Sequence, residues 1–252
     1  MKGIILAGGS GSRLMPLTRH TNKHLLPVAG RPMIHYPLRC LTAAGIDDIV
    51  IVTSARHVKA FRRELGDGRD HGAARLEIVC ESGPHGIAAA LALAEPFCGR
   101  QRMCVMLGDN IAGGSLAAHL AAFDRQQRGA RILLKQVDDP AAYGVARFEN
   151  GQLIDIEEKP ARPAGAMAVI GIYFYPPDVF EVCRGLAPSA RGELEITDVN
   201  RHYLKRGLLQ WEVFDGWWSD AGTFDNLRRV EQLLARSGSG DSTSPRPAPP
   251  QT

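Results

Sequence analysis

The sequence predicts an α/β fold in which helices cover both faces of a mostly parallel, Rossmann-like sheet, giving three layers. Two observations predict it. The first is a series of apolar runs rich in β-branched residues, at residues 3–7, 49–53, 76–80, 103–107 and 131–137. The second is the helix-length segments between several of these runs, because alternating strands and helices are typical of parallel sheets.

Further elements are predicted where periodic segments end at turn-forming residues. The expected helices cover residues 33–44, 86–94, 115–127 and 223–235. After Gly144 the pattern changes, because residues 145–148 and 153–157 flank the turn Asn150-Gly151 and predict a hairpin. Residues 168–175 predict one more buried strand.

Length and composition predict one compact catalytic unit. The chain has 252 residues, of which 44% are hydrophobic, enough to bury one sizeable core. We expect this unit to span residues 1–236. Residues 237–252 are rich in Ser, Gly and Pro with almost no apolar content, so a disordered tail is expected there.

Charge and cysteine content bear on partners and compartment. The formal net charge of +3 comes from acids and bases spread along the chain, which argues against a nucleic-acid groove but suits a small anionic substrate. No segment predicts a signal peptide or a membrane helix. The five cysteines lack CxxC spacing and predict reduced core residues in a cytoplasmic protein.

A glycine-rich turn follows the first predicted strand, at Gly8-Gly9-Ser10-Gly11-Ser12-Arg13. Small residues let backbone N–H groups approach an anion, so a phosphate cradle is one interpretation and a simple tight turn is the other. A P-loop is excluded because Gly-Lys-Ser/Thr is missing, and the third glycine of a dinucleotide fingerprint is missing too. Arg13 and Lys23 supply two cations that suit a triphosphate.

Two aspartates are candidate metal ligands. Asp109 follows the strand at residues 103–107, at the edge where open α/β sheets bind ligands, and Asp220 lies in Trp218-Ser219-Asp220-Ala221-Gly222-Thr223. Mg²⁺ takes one or two carboxylates plus substrate phosphates, so two aspartates suffice. The alternative is structural, with Asp109 in an Asx-turn and Asp220 capping a helix. The eight histidines form no cluster with the cysteines, which argues against zinc.

Seven ordered motifs make the chain resemble the sugar-1-phosphate nucleotidylyltransferases, up to about residue 235: LAGGSGSRL, NKHLLPV, RPMIHYPL, LGDN, EEKP, RGELEIT and WWSDAGT. The resemblance implies a fold of the nucleotide-diphospho-sugar transferase type. Within the family, the chain most resembles members that join dTTP to α-D-glucose 1-phosphate and release pyrophosphate. It implies Mg²⁺ as the cofactor, and a nucleoside triphosphate and a sugar 1-phosphate as the partners.

The same resemblance implies roles for individual residues. Arg13 is assigned to the triphosphate and the leaving pyrophosphate, Lys23 to the α-phosphate and Lys159 to the phosphate of the nucleophile. Asp109 and Asp220 are assigned to Mg²⁺. The substrate-binding set comprises Gly8, Gly9, Gly11, Ser12, His24, Glu81, Gly86, Asn110, Gly144, Glu158, Val169, Tyr173, Arg191 and Glu193. Val169 and Tyr173 also fit ordinary core strand positions.

Two departures from the resemblance concern the base. His24 and Glu81 stand where many thymidylyl-transferring relatives carry glutamine near the pyrimidine. An ionised carboxylate donates no hydrogen bond, so the nucleotide could instead be UTP, CTP, ATP or GTP. Another sugar 1-phosphate is also a possible substrate. The chain also stops soon after the helix at 223–235, so we expect a homodimer with weak or no feedback control.

Two other functions compete with this interpretation. A nucleotide-sugar glycosyltransferase shares this type of fold, but it typically carries DxD where this chain has Gly108-Asp109-Asn110. The second competing function is that of a non-catalytic nucleotide-binding protein of the same fold. The joint presence of Arg13, Lys23, Lys159, Asp109 and Asp220 argues against it.

Overall fold

Thirteen strands occur in the part of the chain that the computed structural model describes, residues 1–83 and 85–238. In chain order they are β1 (Lys2–Leu6), β2 (Pro27–Val28), β3 (Arg31–Pro32), β4 (Asp48–Ser54), β5 (Arg75–Glu81), β6 (Met103–Leu107), β7 (Asn110–Gly113), β8 (Ala130–Gln136), β9 (Gly144–Glu149), β10 (Gln152–Glu158), β11 (Met167–Tyr175), β12 (Leu209–Val213) and β13 (Trp217–Asp220). Nine of them form one sheet, in which β10-β9-β11-β6-β1-β4-β5 is the main order and β8 joins β11 to β12.

Helices cover both faces of this sheet. They are α1 (His35–Ala43), α2 (Val58–Leu65), α3 (Ile87–Ala92), α4 (Glu95–Cys98), α5 (Ala117–Arg125), α6 (Val179–Arg184), α7 (Ile196–Lys205) and α8 (Phe224–Gly238). Neighbouring residues of one strand enter different cores, since Ile4 belongs to one hydrophobic cluster and Ile5 to another. Such alternation follows from the twofold period of a strand, and it confirms the predicted three-layer α/β class.

Strand directions divide the sheet into two regions. β1, β4, β5 and β6 run parallel to one another, as the alternation of strands and helices predicts. β11 is antiparallel to β6, β8 and β9. The predicted hairpin is β9 and β10, and its turn residues Asn150 and Gly151 have φ values of 49° and 76°. Positive φ at both positions is what an Asn-Gly hairpin turn requires.

A two-stranded sheet of β7 and β13 brings distant segments together beside the main sheet. The two strands are antiparallel, and Asp220 pairs with Asn110. Trp218 Nε1 also donates to Asn110 Oδ1 at 2.7 Å. This pairing places Asp220 next to the chain segment that carries Asp109, as the predicted carboxylate pair requires.

The five cysteines differ in how far they are buried. All five cysteines are free, but only Cys98, Cys104 and Cys183 are buried. Cys80 is exposed, contrary to the predicted core position, because β5 is an edge strand with a single neighbour.

No helix in the described ranges is long and apolar enough to cross a membrane. α8 runs to Gly238, two residues past the expected boundary, and 239–252 of the expected tail lie outside the described residues.

Candidate active site

A cavity of about 330 Å³ opens where β1, β5, β6 and β10 end. Because parallel strands end at a common edge, side chains that follow them converge there. Most of the predicted site residues line it: Gly8, Gly9, Arg13, Lys23, His24, Glu81, Gly86, Asp109, Asn110, Gly144, Glu158, Lys159, Val169, Tyr173, Glu193 and Asp220. Three predicted residues, Gly11, Ser12 and Arg191, do not line it.

The glycine-rich turn shapes one wall of this cavity. A Cβ on Gly8 would collide with the Glu81 carboxylate, so any larger residue there would displace the Glu81 side chain. Gly11, with φ of 64°, instead faces Thr18, whose hydroxyl donates to the Gly11 carbonyl at 2.8 Å. Ser12 begins a 3₁₀ helix that carries Arg13 toward the cavity. Gly11 and Ser12 therefore support the turn from behind.

Lys23 and Asp109 form an ion pair inside the cavity, with Lys23 Nζ 2.5 Å from Asp109 Oδ2. Both side chains are largely buried. Burial acts to raise the pKa of Asp109, but the charges of Lys23 and His24 and the hydrogen bonds from Lys23 and Asn110 outweigh it, so the pKa is lowered. Asp109 is therefore an anion at neutral pH.

Asn110 holds the Asp109 carboxylate in place. Its side-chain Nδ2 donates to Asp109 Oδ1 at 3.0 Å, and its Oδ1 accepts from the backbone N–H of Gly171 at 2.9 Å as well as from Trp218. The residue was predicted to contact substrate. Although Asn110 lines the cavity, its hydrogen bonds here go to protein groups.

Arg13, Asp109 and Asp220 converge around Gly222. The point where a Cβ on Gly222 would lie is 3.3 Å from Arg13 Nη2 and 3.6 Å from Asp109 Oδ2, and it is also 3.6 Å from Asp220 Oδ1. Ala221 N donates to the Asp109 carbonyl at 2.8 Å, which keeps the two segments together. Only glycine leaves this space open.

The two carboxylates fit a magnesium ion better than zinc. Mg²⁺ needs only one or two protein carboxylates when substrate phosphates supply the other oxygens. Across residues 1–83 and 85–238, no group of three or more His, Cys, Asp and Glu side chains is arranged to hold a metal ion. Two carboxylates therefore suit Mg²⁺, which can take its remaining oxygen ligands from the substrate phosphates.

His24 is a buried, neutral histidine. Its Nδ1 lies 2.7 Å from Asn22 Oδ1, and the Asn22 amide nitrogen donates to the Ala7 carbonyl at 3.1 Å, so His24 Nδ1 carries the proton. Burial, and then the charge of Lys23, lower the pKa of His24 to about 3. A Cβ on Gly108 would lie 2.8 Å from the ring, so Gly108 makes room for it.

Acid stability tests the burial of His24. Since its folded pKa is about 3 and its unfolded pKa about 6.5, only the unfolded chain takes up the proton as the pH falls below 6.5. We expect this group to lower the free energy of unfolding by about 2 kcal/mol between pH 6.5 and pH 5. Urea titrations of wild type and His24→Gln at both pH values measure it.

The expected result is a smaller loss of stability on acidification in His24→Gln than in wild type. His20→Gln, which removes an exposed histidine, is the matched control. Equal losses in wild type and His24→Gln would contradict a buried neutral His24.

Across the cavity, Glu158 and Lys159 follow β10. Thr197 Oγ1 donates to Glu158 Oε2 at 2.5 Å. Lys159 has a left-handed backbone, with φ of 45°, and its N–H donates to the Tyr143 carbonyl at 2.9 Å. This conformation is costly for a lysine, and such strain is concentrated at functional sites. The EEKP motif thus ends in a turn that presents Lys159 at the cavity.

Arg191 lies behind this wall. Its guanidinium binds Glu193 at 3.1 Å and Glu195 at 3.0 Å, and it lies 3.8 Å from Glu158. Arg191 was predicted to line the sugar pocket, but in the structure it does not line the cavity. It instead holds carboxylates, of which Glu158 and Glu193 line the cavity.

Glu81 occupies the opposite end of the cavity from Glu158. It is buried, with 6% of its surface exposed, and no described residue donates a hydrogen bond to its side chain. Burial raises the pKa of Glu81, while the charge of His85 acts in the other direction. The cations Arg13 and Lys23 lie instead beside Gly222 and Asp109. The carboxyl group of Glu81 is therefore shifted toward its neutral form relative to an exposed glutamate.

Several lining residues were not predicted from the sequence. Tyr143 precedes the predicted residue Gly144, and Thr197 is the last residue of the motif RGELEIT, so both positions carried a signal in the sequence. Trp218 lies in WWSDAGT, and its ring packs edge-on against Tyr143 with centroids 5.3 Å apart. The others are Leu6, Ile87, Ala90, Leu107, Ala142, Gly171 and Ile196.

Comparisons with known proteins identify the family of this chain. Residues 2–237 match the nucleotidyl transferase family. Glucose-1-phosphate thymidylyltransferases from Neisseria meningitidis serogroup A and Mycolicibacterium smegmatis are each 46% identical, covering 93% and 90% of this chain and 82% and 80% of their own lengths. A Bacillus anthracis structure, described as a glucose-1-phosphate thymidylyltransferase in complex with sucrose, is 47% identical over 98% of both chains, with a TM-score of 0.89.

A more distant structure shares the fold. UDP-glucose pyrophosphorylase complexed with UDP-glucose is 23% identical, with a TM-score of 0.83 over 94% of this chain and 98% of its own. At this identity the likeness concerns architecture, and it fits the predicted nucleotide-diphospho-sugar transferase type of fold. Taken with the sequence match over residues 2–237, these findings show that the chain belongs to the nucleotidyl transferase family of enzymes.

Proposed function

We propose that the enzyme transfers a thymidylyl group from dTTP to α-D-glucose 1-phosphate and releases pyrophosphate, giving dTDP-glucose. The family acts on nucleoside triphosphates and sugar 1-phosphates. The observation that carries the proposal is the convergence of Arg13, Asp109 and Asp220 around Gly222, with Lys23 paired to Asp109. Relatives with the corresponding name at 46% identity support the choice of substrates.

The chemistry needs positioning and charge neutralisation more than a proton acceptor. The attacking oxygen of a sugar 1-phosphate is already ionised, and it displaces pyrophosphate in line at the α-phosphorus. Arg13 is proposed to neutralise the triphosphate and the leaving pyrophosphate, and Lys23 the charge at the α-phosphate. This accounts for a cavity built from cations, carboxylates and glycines.

Members of the family generally use a divalent metal, and we propose Mg²⁺. Asp109 and Asp220 would hold it together with phosphate oxygens. When bound, the ion supplies positive charge that offsets the charge of the reacting phosphates. Asn110 orients Asp109 for this role through its hydrogen bond to Oδ1.

The sugar phosphate is assigned to the wall formed by β9, β10 and β11. Glu158, held by Thr197, is placed to accept hydrogen bonds from sugar hydroxyls. Lys159, on its left-handed backbone, is proposed to bind the phosphate of the nucleophile. Gly144, Val169, Tyr173 and Glu193 line the same wall and are proposed to shape the sugar pocket.

The base is assigned to the end of the cavity with Gly8, Gly9, His24, Glu81 and Gly86. Thymine presents an N–H donor beside a carbonyl acceptor. A neutral carboxyl group offers one acceptor and one donor, as a glutamine amide does. Burial raises the pKa of Glu81 and so shifts it toward that neutral form, in which thymine is compatible with glutamate here.

The second candidate is the same reaction with GTP, and Glu81 is the observation that favours it. An ionised carboxylate accepts two hydrogen bonds side by side, which matches the two adjacent N–H groups on one edge of guanine. The protonation state of Glu81 therefore separates the two candidates. The sugar 1-phosphate and the chemistry are the same in both.

We also propose that residues 1–236 form the catalytic unit and act in the cytoplasm as a homodimer. The family match over residues 2–237 and five free cysteines support the first two points. Trp211 and Val213 are exposed on the edge strand β12, an apolar surface that a second copy would cover. Light scattering at several protein concentrations measures the assembly.

Pyrophosphate release tests the proposed reaction. The enzyme is incubated with Mg²⁺ and glucose 1-phosphate and with dTTP, UTP, CTP, ATP or GTP in turn. We expect release with dTTP at a kcat/KM at least about tenfold above the others, and loss of release with EDTA. Preference for another base would overturn the thymidylyl assignment. If the enzyme released no pyrophosphate here but released UDP when given UDP-glucose, it would be a glycosyltransferase.

A further inference from the structure

Asp220 is held by side chains that have no assigned role in the reaction. Its Oδ1 accepts from the backbone N–H of Gly222 at 3.1 Å and from the side-chain amide of Asn226. Burial, and then the nearby Asp220 carboxylate, raise the pKa of the Tyr143 hydroxyl, so Tyr143 lies beside the same carboxylate. One oxygen of Asp220 is therefore held by the adjoining backbone and by a side chain of α8, with Tyr143 next to it.

Asn226 belongs to the first turn of α8 and does not line the cavity. Its backbone N–H donates to Thr223 Oγ1 at 3.2 Å, which anchors the start of the helix. The side chain is then directed back toward β13, where Asp220 is the last residue. Because α8 packs against β13, the helix supplies a rigid base for this contact.

Tyr143 connects the same carboxylate to the other wall. Its carbonyl accepts from the N–H of Lys159, the residue with the left-handed backbone, at 2.9 Å. Its ring packs against Trp218, on the strand that carries Asp220. One residue thus contacts the proposed metal carboxylate through its side chain and the proposed sugar-phosphate lysine through its backbone.

We infer that Asn226 and Tyr143 are positioning residues that hold Asp220 ready for the divalent cation, and that Tyr143 sets the distance between Asp220 and Lys159. The inference rests on the proposed function, in which Asp220 binds the cation. Groups that orient a ligating carboxylate typically change metal affinity or activity 10- to 100-fold when removed. Neither residue takes part in a bond-breaking step.

The test is direct measurement of Mn²⁺ binding in the presence of dTDP-glucose, by the electron paramagnetic resonance signal of the free ion. We expect the dissociation constant for Mn²⁺ to rise about 10-fold in Asn226→Ala and in Tyr143→Phe. Tyr143→Phe keeps the ring against Trp218 and the carbonyl to Lys159. At saturating metal, KM for the sugar 1-phosphate should stay within about 3-fold of wild type in Asn226→Ala.

Arg228→Ala is the matched control, since Arg228 is exposed on the same helix and its ion pair is with Asp225, at 3.7 Å. Its Mn²⁺ affinity should equal that of wild type. Unchanged affinity in folded Asn226→Ala and Tyr143→Phe, with normal thermal unfolding, would overturn the inference while leaving the proposed function intact. If wild type bound no Mn²⁺ with dTDP-glucose, the proposed function would fail as well.

Discussion

Asp109→Asn is expected to lower kcat/KM by about 1,000-fold or more while the protein stays folded. Asparagine has the same shape and still accepts a hydrogen bond from Lys23, but it carries no charge for a cation. It also leaves Lys23 without the ion pair that now holds it at 2.5 Å. Steady-state pyrophosphate release with dTTP and glucose 1-phosphate measures the change.

Asp48→Asn is the matched control for this substitution. Asp48 forms an ion pair with Lys2 at 2.5 Å, outside the cavity, so its loss changes stability and leaves the site intact. We expect Asp48→Asn to retain kcat/KM within about 3-fold of wild type. Activity of Asp109→Asn within tenfold of wild type would remove Asp109 from the proposed metal site.

The second large effect concerns Glu81 and pH. If thymine is bound by the neutral carboxyl group, the selectivity for dTTP over GTP is full at low pH and falls as the pH rises through the raised pKa of Glu81. Above that pKa, each pH unit reduces the neutral fraction, and with it this selectivity, about tenfold. In Glu81→Gln the amide cannot ionise, so the selectivity should not change with pH.

The measurement is the ratio of kcat/KM for dTTP to kcat/KM for GTP, across the pH range in which the enzyme stays folded. A ratio is used because ionisation of the sugar phosphate and of the metal site affects both nucleotides equally. Glu77→Gln, a change of a partly buried glutamate on β5 outside the cavity, controls for the strand. A wild-type ratio that is constant with pH, or that rises with it, would exclude the neutral carboxyl group.

Much of the fold followed from local sequence features. The apolar runs gave β1, β4, β5, β6 and β8 to within about one residue, because strands buried on both faces are almost continuously apolar. Asp109, which follows one of those strands, lies at the cavity, at the edge where the sequence predicts it. The hairpin of β9 and β10 followed from Asn150-Gly151 and the two short runs that flank this turn.

Long-range contacts were the part that local patterns could not predict. β7 and β13 are four residues each and pair residues more than 100 positions apart, as in the Trp218–Asn110 hydrogen bond. The positions of Asn226 and Tyr143 beside Asp220 depend on that pairing. Arg191 shows a different limit. Its partners Glu193 and Glu195 are only two and four residues along the chain, but the sequence does not show which of these side chains faces the cavity.

The most direct test of the account is to identify the product. After incubation with dTTP, Mg²⁺ and glucose 1-phosphate, mass spectrometry should detect dTDP-glucose, formed in a one-to-one ratio with pyrophosphate. With ¹⁸O in the phosphate of glucose 1-phosphate, the label should appear in dTDP-glucose and be absent from pyrophosphate, because the sugar phosphate is the nucleophile. Pyrophosphate without dTDP-glucose, or label in the pyrophosphate, would contradict nucleotidyl transfer by this enzyme.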